Sequence, residues 1–359
     1  MPGFAGHSHD RSANPNAPVI ELDGAPVVVS VDDDAVLWTC DLRGGGCVSR
    51  SLDLDAAGPD DSWYIENEYW DEDDDEDVQE WIVVEPSNIA ELVTATYLDG
   101  RPVVVTGGRR YDFSFEGDSD SSGGIVRAWD LRTGRRIGSV MIGHVLGVCS
   151  LTTVESERGP LVVSTCEPGV TLAWELATGE RVTKIEGAYN GVMGAAVVDG
   201  RPVAVTGGMD PFLQVWDVLT GDRIGGDLRG IEPGAGPIAI TEVEGRAVVL
   251  GGDGARLHVW DLASQEPIGI PLTGHTDDIR TLGTTTVAGR SIAVTGSSRD
   301  FAPQGEGETR VWDLARGEQI GLPFAAHLQQ VTEIAGIPVA VTRSLNDAIH
   351  LWDLTRAVG

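Results

Sequence analysis

The chain has 359 residues, 41% apolar and 23% charged, enough apolar side chain to bury a core, which excludes a wholly disordered protein. Its 56 Asp and Glu against 25 Lys and Arg give a formal charge of −31. That surface repels nucleic-acid phosphates and anionic headgroups, so it excludes nucleic acid and membrane as charge-driven partners and favours a basic one.

The first residues, MPGFAGHSHDRS, carry no apolar segment behind a basic start, so no secretory leader is expected. No run approaches the roughly 18 apolar residues of a membrane helix. A cytoplasmic monomer follows as the default. Its four cysteines, Cys40, Cys47, Cys149 and Cys166, are then expected as plain reduced thiols, although each pair straddles a predicted turn and could face across a hairpin. There is no Cys-x-x-Cys, which argues against a zinc ribbon.

Taken in chain order, one element recurs: an alternating apolar run ending in Trp, an acid and an apolar residue. It stands as a variant at Val36-Leu37-Trp38, then at Trp129-Asp130-Leu131, Trp174-Glu175-Leu176 and Trp216-Asp217-Val218. It returns at Trp260-Asp261-Leu262, Trp312-Asp313-Leu314 and Trp352-Asp353-Leu354. The Trp spacings are 91, 45, 42, 44, 52 and 40. Five lie near the period of a four-stranded repeat unit, and the 91 reads as one unit with insertions. Before each Trp comes a β-branched run behind a turn, as in Asp23-Gly24-Ala25-Pro26, Asp99-Gly100-Arg101-Pro102 and Asp199-Gly200-Arg201-Pro202. Asp-Gly suits a tight hairpin, and Pro opening a strand lacks only a donor the ladder does not need. No stretch sustains a 3.6-residue period with caps, so helix content should be very low.

These seven copies resemble the WD repeat, and the resemblance spans essentially the whole chain. It implies an all-β fold: a single seven-bladed β-propeller of four-stranded antiparallel blades over residues 1–359. In that family a His, a Ser or Thr, an Asp and the Trp form a hydrogen-bonded network. His275, Thr295, Asp300 and Trp312 match it best. His327, Thr342 and Trp352 match with Asp347 one place off, and His144, Ser164 and Trp174 match with Pro168 in the Asp position. Three blades lack the His and should rely more on apolar packing. Only seven residues follow Trp352, so Met1–Gly6 is expected to supply the missing strand of the last blade and close the ring.

Three insertions depart from the repeat: an acidic one at about 55–82, and others at about 107–124 and 296–308. The resemblance places all three on one face, conventionally the top. The candidate partner-binding residues lie there: Trp63, Tyr64, Tyr69 and Trp70, then Asp71, Asp73, Asp75 and Asp77 within seven consecutive acids, with Arg109, Arg110, Tyr111, Phe113 and Arg299 on the other loops. Aromatic anchors ringed by acid suit a protein or peptide presenting Arg or Lys. A merely solvated acid run, or pairing with Arg109 and Arg110 within the chain, stays open. Asp118, Asp120 and Ser122-Gly123 resemble half of a calcium loop, but its twelfth position is Trp129, so specific calcium binding is not expected.

Catalysis needs a nucleophile, base or metal brought together. The sequence has no Gly-x-Ser-x-Gly elbow and no phosphate loop, and its seven His residues lack metal spacing. A non-catalytic protein-interaction scaffold without cofactor is therefore expected. The alternatives are a propeller enzyme using acidic top loops for a metal or sugar, and a sensor propeller of the kind that accompanies bacterial signalling or defence proteins.

Overall fold

A computed structural model describes residues 18–31, 36–42, 47–52, 64–67, 80–83, 89–109, 123–166, 169–185, 192–207, 210–232, 236–299, 307–344 and 349–358. The β-branched runs pair with their neighbours in sequence, each hairpin feeding the next, into six sheets of strand order 1-2-3-4 and a seventh of order 1-2-3 among the described residues.

Blade 1 holds β1 (Val19–Leu22), β2 (Ala25–Val31), β3 (Val36–Asp41) and β4 (Cys47–Ser51). A separate two-stranded hairpin, β5 (Tyr64–Asn67) with β6 (Glu80–Val83), follows inside the acidic insertion. Blade 2 is β7 (Ile89–Leu98), β8 (Arg101–Arg109), β9 (Gly124–Asp130) and β10 (Arg136–His144). Blade 3 is β11 (Val148–Val154), β12 (Leu161–Cys166), β13 (Val170–Glu175) and β14 (Arg181–Ile185). Blade 4 is β15 (Val192–Val198), β16 (Arg201–Thr206), β17 (Phe212–Asp217) and β18 (Leu228–Arg229). Blade 5 is β19 (Ile238–Val243), β20 (Arg246–Asp253), β21 (Arg256–Asp261) and β22 (Leu272–Thr273). Blade 6 is β23 (Ile279–Val287), β24 (Arg290–Ser297), β25 (Glu308–Asp313) and β26 (Glu318–Phe324). Blade 7 is β27 (His327–Ile334), β28 (Ile337–Arg343) and β29 (Ile349–Asp353), followed by a four-residue helix, α1 (Thr355–Val358). The protein is a seven-bladed β-propeller.

The first strands of consecutive blades lie side by side around the ring, and β27 meets β1 to complete it. The short β1 is tied to both neighbours. Gln330 of blade 7 reads the backbone of Val19, accepting its N–H at 3.0 Å and donating to its carbonyl at 3.2 Å. Tyr97 of blade 2 does the same for Glu21, at 3.1 and 3.2 Å. The expected closing strand, Met1–Gly6, falls outside the described residues. Within them blade 7 ends on β29, where Leu351 and Trp352 stand 39% and 41% exposed.

The core sits between blades rather than within them. Five repeat Trp residues pack on the preceding blade: Trp129 joins Val29 and Leu37, Trp174 joins Val105 and Val126, Trp216 joins Ile185, Trp260 joins Leu213 and Val215, and Trp312 joins Leu250 and Leu257. Burying such a ring is worth roughly 3 kcal/mol or more, so the Trp period directly stabilises blade-to-blade contact. The turns behave as their residues dictate. Asp23 and Gly24 both take positive φ, 52° and 76°, as a two-residue hairpin of this twist requires.

One expectation is corrected. Cys40 and Cys47 are not thiols: they stand directly opposite in β3 and β4, 4.1 Å apart at Cα, and form a disulfide. The other pair forms no disulfide, because a bulge between Val148 and Ser150 puts Val148 rather than Cys149 opposite Cys166. Closing an eight-residue loop constrains the unfolded chain by about 2 kcal/mol. Cys47→Ser should lower the urea-unfolding free energy by about that amount, and a reductant should bring the wild type down to the same value.

Candidate interaction face

Alternation along each blade sends the first-to-second and third-to-fourth turns to one end of the ring, and the other two connections to the opposite end. The three strand connections that depart from the repeat therefore attach at that opposite end: β4 to β7, β8 to β9 and β24 to β25.

A polar relay inside the blades anchors the strands that carry this face. In blade 6, Trp312 Nε1 donates to Thr295 Oγ1 at 2.7 Å, and Thr295 meets His275 Nε2 at 2.6 Å. His275 Nδ1 then lies 3.1 Å from Glu308 Oε1, close enough for electrostatic attraction though not aligned as a hydrogen bond. Arg310 holds that carboxylate at 2.6 Å. Burial pushes the His275 imidazole down to about 4 despite the opposing pull of Glu308. In blade 3, Trp174 Nε1 donates to Ser164 Oγ at 2.8 Å, and Ser164 meets His144 Nε2 at 2.7 Å. His144 Nδ1 is buried without a partner, and burial alone takes this ring to about 4. In blade 7, Trp352 donates to Thr342 at 2.8 Å, whereas His327 Nδ1 meets Gln329 Nε2 at 2.8 Å rather than Thr342. His327 sits at the start of β27, where its backbone pairs with Arg343.

The blades without the Gly-His keep a polar anchor as well as apolar packing. Trp129 donates to Thr106 at 3.1 Å and Trp216 to Thr206 at 2.8 Å. In blade 5 a glycine, Gly251, replaces the hydroxyl residue, so Trp260 turns its N–H to the Arg229 carbonyl at 3.0 Å and stacks on His258 at 5.5 Å. His258 in turn lies 3.2 Å from Asp253, which Arg256 pairs at 2.7 Å. Burial lowers the His258 pKa.

Of the candidate partner residues, Arg299 is exposed and pairs with Asp277 at 3.2 Å, beside an Asp278–Arg280 pair at 3.0 Å. Tyr64 opens β5 opposite Val83, and Arg109 ends β8 opposite Gly124. Trp63, Tyr69, Trp70, Asp71, Asp73, Asp75, Asp77, Arg110, Tyr111 and Phe113 lie outside the described residues, as do Asp300 and Asp347. Glu308, Arg310, Asp253 and Gln330 escaped the sequence reading. The repeat pattern puts no acid at 308, and a glutamine on an inner strand carries no signal of what it will bond. Among the described residues no group of three or more His, Cys, Asp or Glu is placed to hold a metal. No described helix is long and apolar enough to cross a membrane.

No family model matches the chain, and no curated protein does. Solved structures are similar to it in fold. The computationally designed Ika8 protein superposes over 98% of this chain and 98% of its own, with TM-score 0.55 and 18% identity. U3-55K superposes over 71% of this chain and 74% of its own, with TM-score 0.52 and 17% identity. The WD40 repeats of RRP9 superpose over 66% and 73%, with TM-score 0.50 and 17% identity. The class this defines is the β-propeller, with WD40-repeat propellers among its structural neighbours.

Proposed function

We propose that the protein is a non-catalytic scaffold of the WD-repeat type that holds a basic protein or peptide on the face carrying its three insertions. The observation that carries this reading is topological. Every connection that exceeds the repeat's need attaches at one end of a closed, rigid ring, and the largest of them is built from acids and aromatics. A rigid platform lowers the entropy lost on docking, and a field of this sign raises encounter rates with cations.

Affinity capture with the full chain and with a chain lacking 60–80 tests it, run at about 50 and 500 mM salt to vary screening. A partner held by the full chain at low salt, weakened at high salt and lost in the deletion is expected. A partner retained equally by the deletion contradicts the reading.

A further inference from the structure

At three junctions, neighbouring blades are latched on their outer side by the turn after a repeat Trp. Ser139 N donates to Thr178 O at 2.7 Å between blades 2 and 3, Thr183 Oγ1 to Leu219 O at 2.6 Å between blades 3 and 4, and Gln265 Nε2 to Ile224 O at 2.9 Å between blades 4 and 5. In blades 2, 4, 5 and 6 the outer segment carries a positive-φ glycine, Gly138, Gly225, Gly269 or Gly321, after an isoleucine. Among the described residues blade 1 has neither feature. Its outer strand runs in unbroken register from Cys47 to Ser51. The matching turn of blade 2 sends Arg132 to Asp23 instead, at 2.7 and 3.0 Å.

A cavity of about 250 Å3 remains at this junction. Leu37 and Leu131, 1% and 2% exposed, are among its most buried lining residues, and Leu22 and Val48 add apolar wall. Thr39 contributes a hydroxyl. Thr39 and Val48 are register partners next to the Cys40–Cys47 disulfide, so the crosslink pins two of the lining strands. Exposed Arg50 also lines the cavity. Arg132 is already engaged by Asp23, whereas Arg50 has no carboxylate partner among the described residues.

We propose that this cavity binds a small organic carboxylate with an aliphatic or single-ring body, its acid paired with Arg50 and its body on Leu37, Leu131 and Val48. The volume fits a molecule of roughly ten heavy atoms, below the usual range for drug-sized ligands. The Asp23 carboxylate in the lining is paired with Arg132 at 2.7 Å, so the guanidinium of Arg50 beside an apolar hollow selects an acid with an apolar body.

Titration of the full chain with hexanoate, benzoate and 1-hexanol, followed by ligand-observed NMR and calorimetry, tests it. Hexanoate or benzoate should bind, and 1-hexanol should bind about tenfold more weakly or worse. Arg50→Gln, an exposed substitution, should weaken the acids by about tenfold or more, and Val48→Trp, which fills the opening, should do the same. Unchanged circular dichroism for both variants confirms that the fold persists. No binding of either acid at about 10 mM overturns the proposal. So does binding that survives both substitutions, or an acidic peptide that binds through Arg50 where the free acids do not.

Discussion

Thr295→Val is expected to cost about 2–5 kcal/mol in a urea-unfolding experiment, roughly twice the cost of Thr206→Val. Valine keeps the shape of threonine but removes its oxygen. At 295 that oxygen serves two buried groups, Trp312 Nε1 and His275 Nε2, and both would be left without a partner. At 206 it serves Trp216 Nε1. Each orphaned buried group costs about 1–3 kcal/mol, so the ratio reports how many partners each hydroxyl holds. A double-mutant cycle sharpens the result: in a Trp312→Phe background the cost of Thr295→Val should fall, since one of the two orphaned groups is gone. Equal losses at 295 and 206 would show that the His contributes nothing to the relay.

The second large effect is a dependence on pH. His144 is 4% exposed, and burial lowers its pKa from 6.5 to about 4. Between those values the unfolded chain takes up a proton that the folded chain refuses. Stability from this group is therefore full above about 6.5 and is lost as the pH falls toward 4. The shift corresponds to roughly 3 kcal/mol. Acidification also relieves the repulsion of a chain carrying −31, which acts in the opposite direction. Comparing His144→Gln with the wild type removes that shared effect. From pH 7 to 4.5 the wild type should lose about 2–3 kcal/mol more than the variant, measured by denaturant titration at each pH. Parallel curves would mean that His144 is protonated within the fold at no cost.

The repeat made the architecture legible because one residue type does the same work each time. A Trp recurs once per blade, so Trp38 through Trp352 count the seven blades before any sheet is seen, and Trp129 and Trp174 show why, buried as they are against the preceding blade. Asp-Gly pairs such as Asp199-Gly200 mark their hairpins for an equally local reason, the tolerance of positive φ. What stayed hidden depends on contacts between distant residues. Glu308 takes its place beside His275 across 33 positions, and Gln330 finds Val19 across the ring closure. The disulfide was misread for another reason. The compartment inferred from the first residues argued for thiols, while the registration of β3 with β4 set Cys40 directly against Cys47. Blades 2 and 4 kept a Trp hydrogen bond because Thr106 and Thr206 occupy the hydroxyl position without needing a histidine behind them.

The insertions were legible as departures from the repeat, and their composition supplied the chemistry of the expected partner. Their common face follows from alternation alone, which needs no side-chain geometry. Arg299 shows the pattern in small: an exposed guanidinium balanced by Asp277 at 3.2 Å, a pair that a docking carboxylate or cation could exchange at a cost of at most about 1 kcal/mol.

Hydrogen exchange of the chain with and without its captured partner is the most direct test of where that partner sits. Slowed exchange is expected in 55–82, 107–124 and 296–308 and in the loop around Asp277, with no change at the hairpin turns of Asp23, Asp99 and Asp199. Protection confined to those turns, on the opposite end of the ring, would contradict that placement.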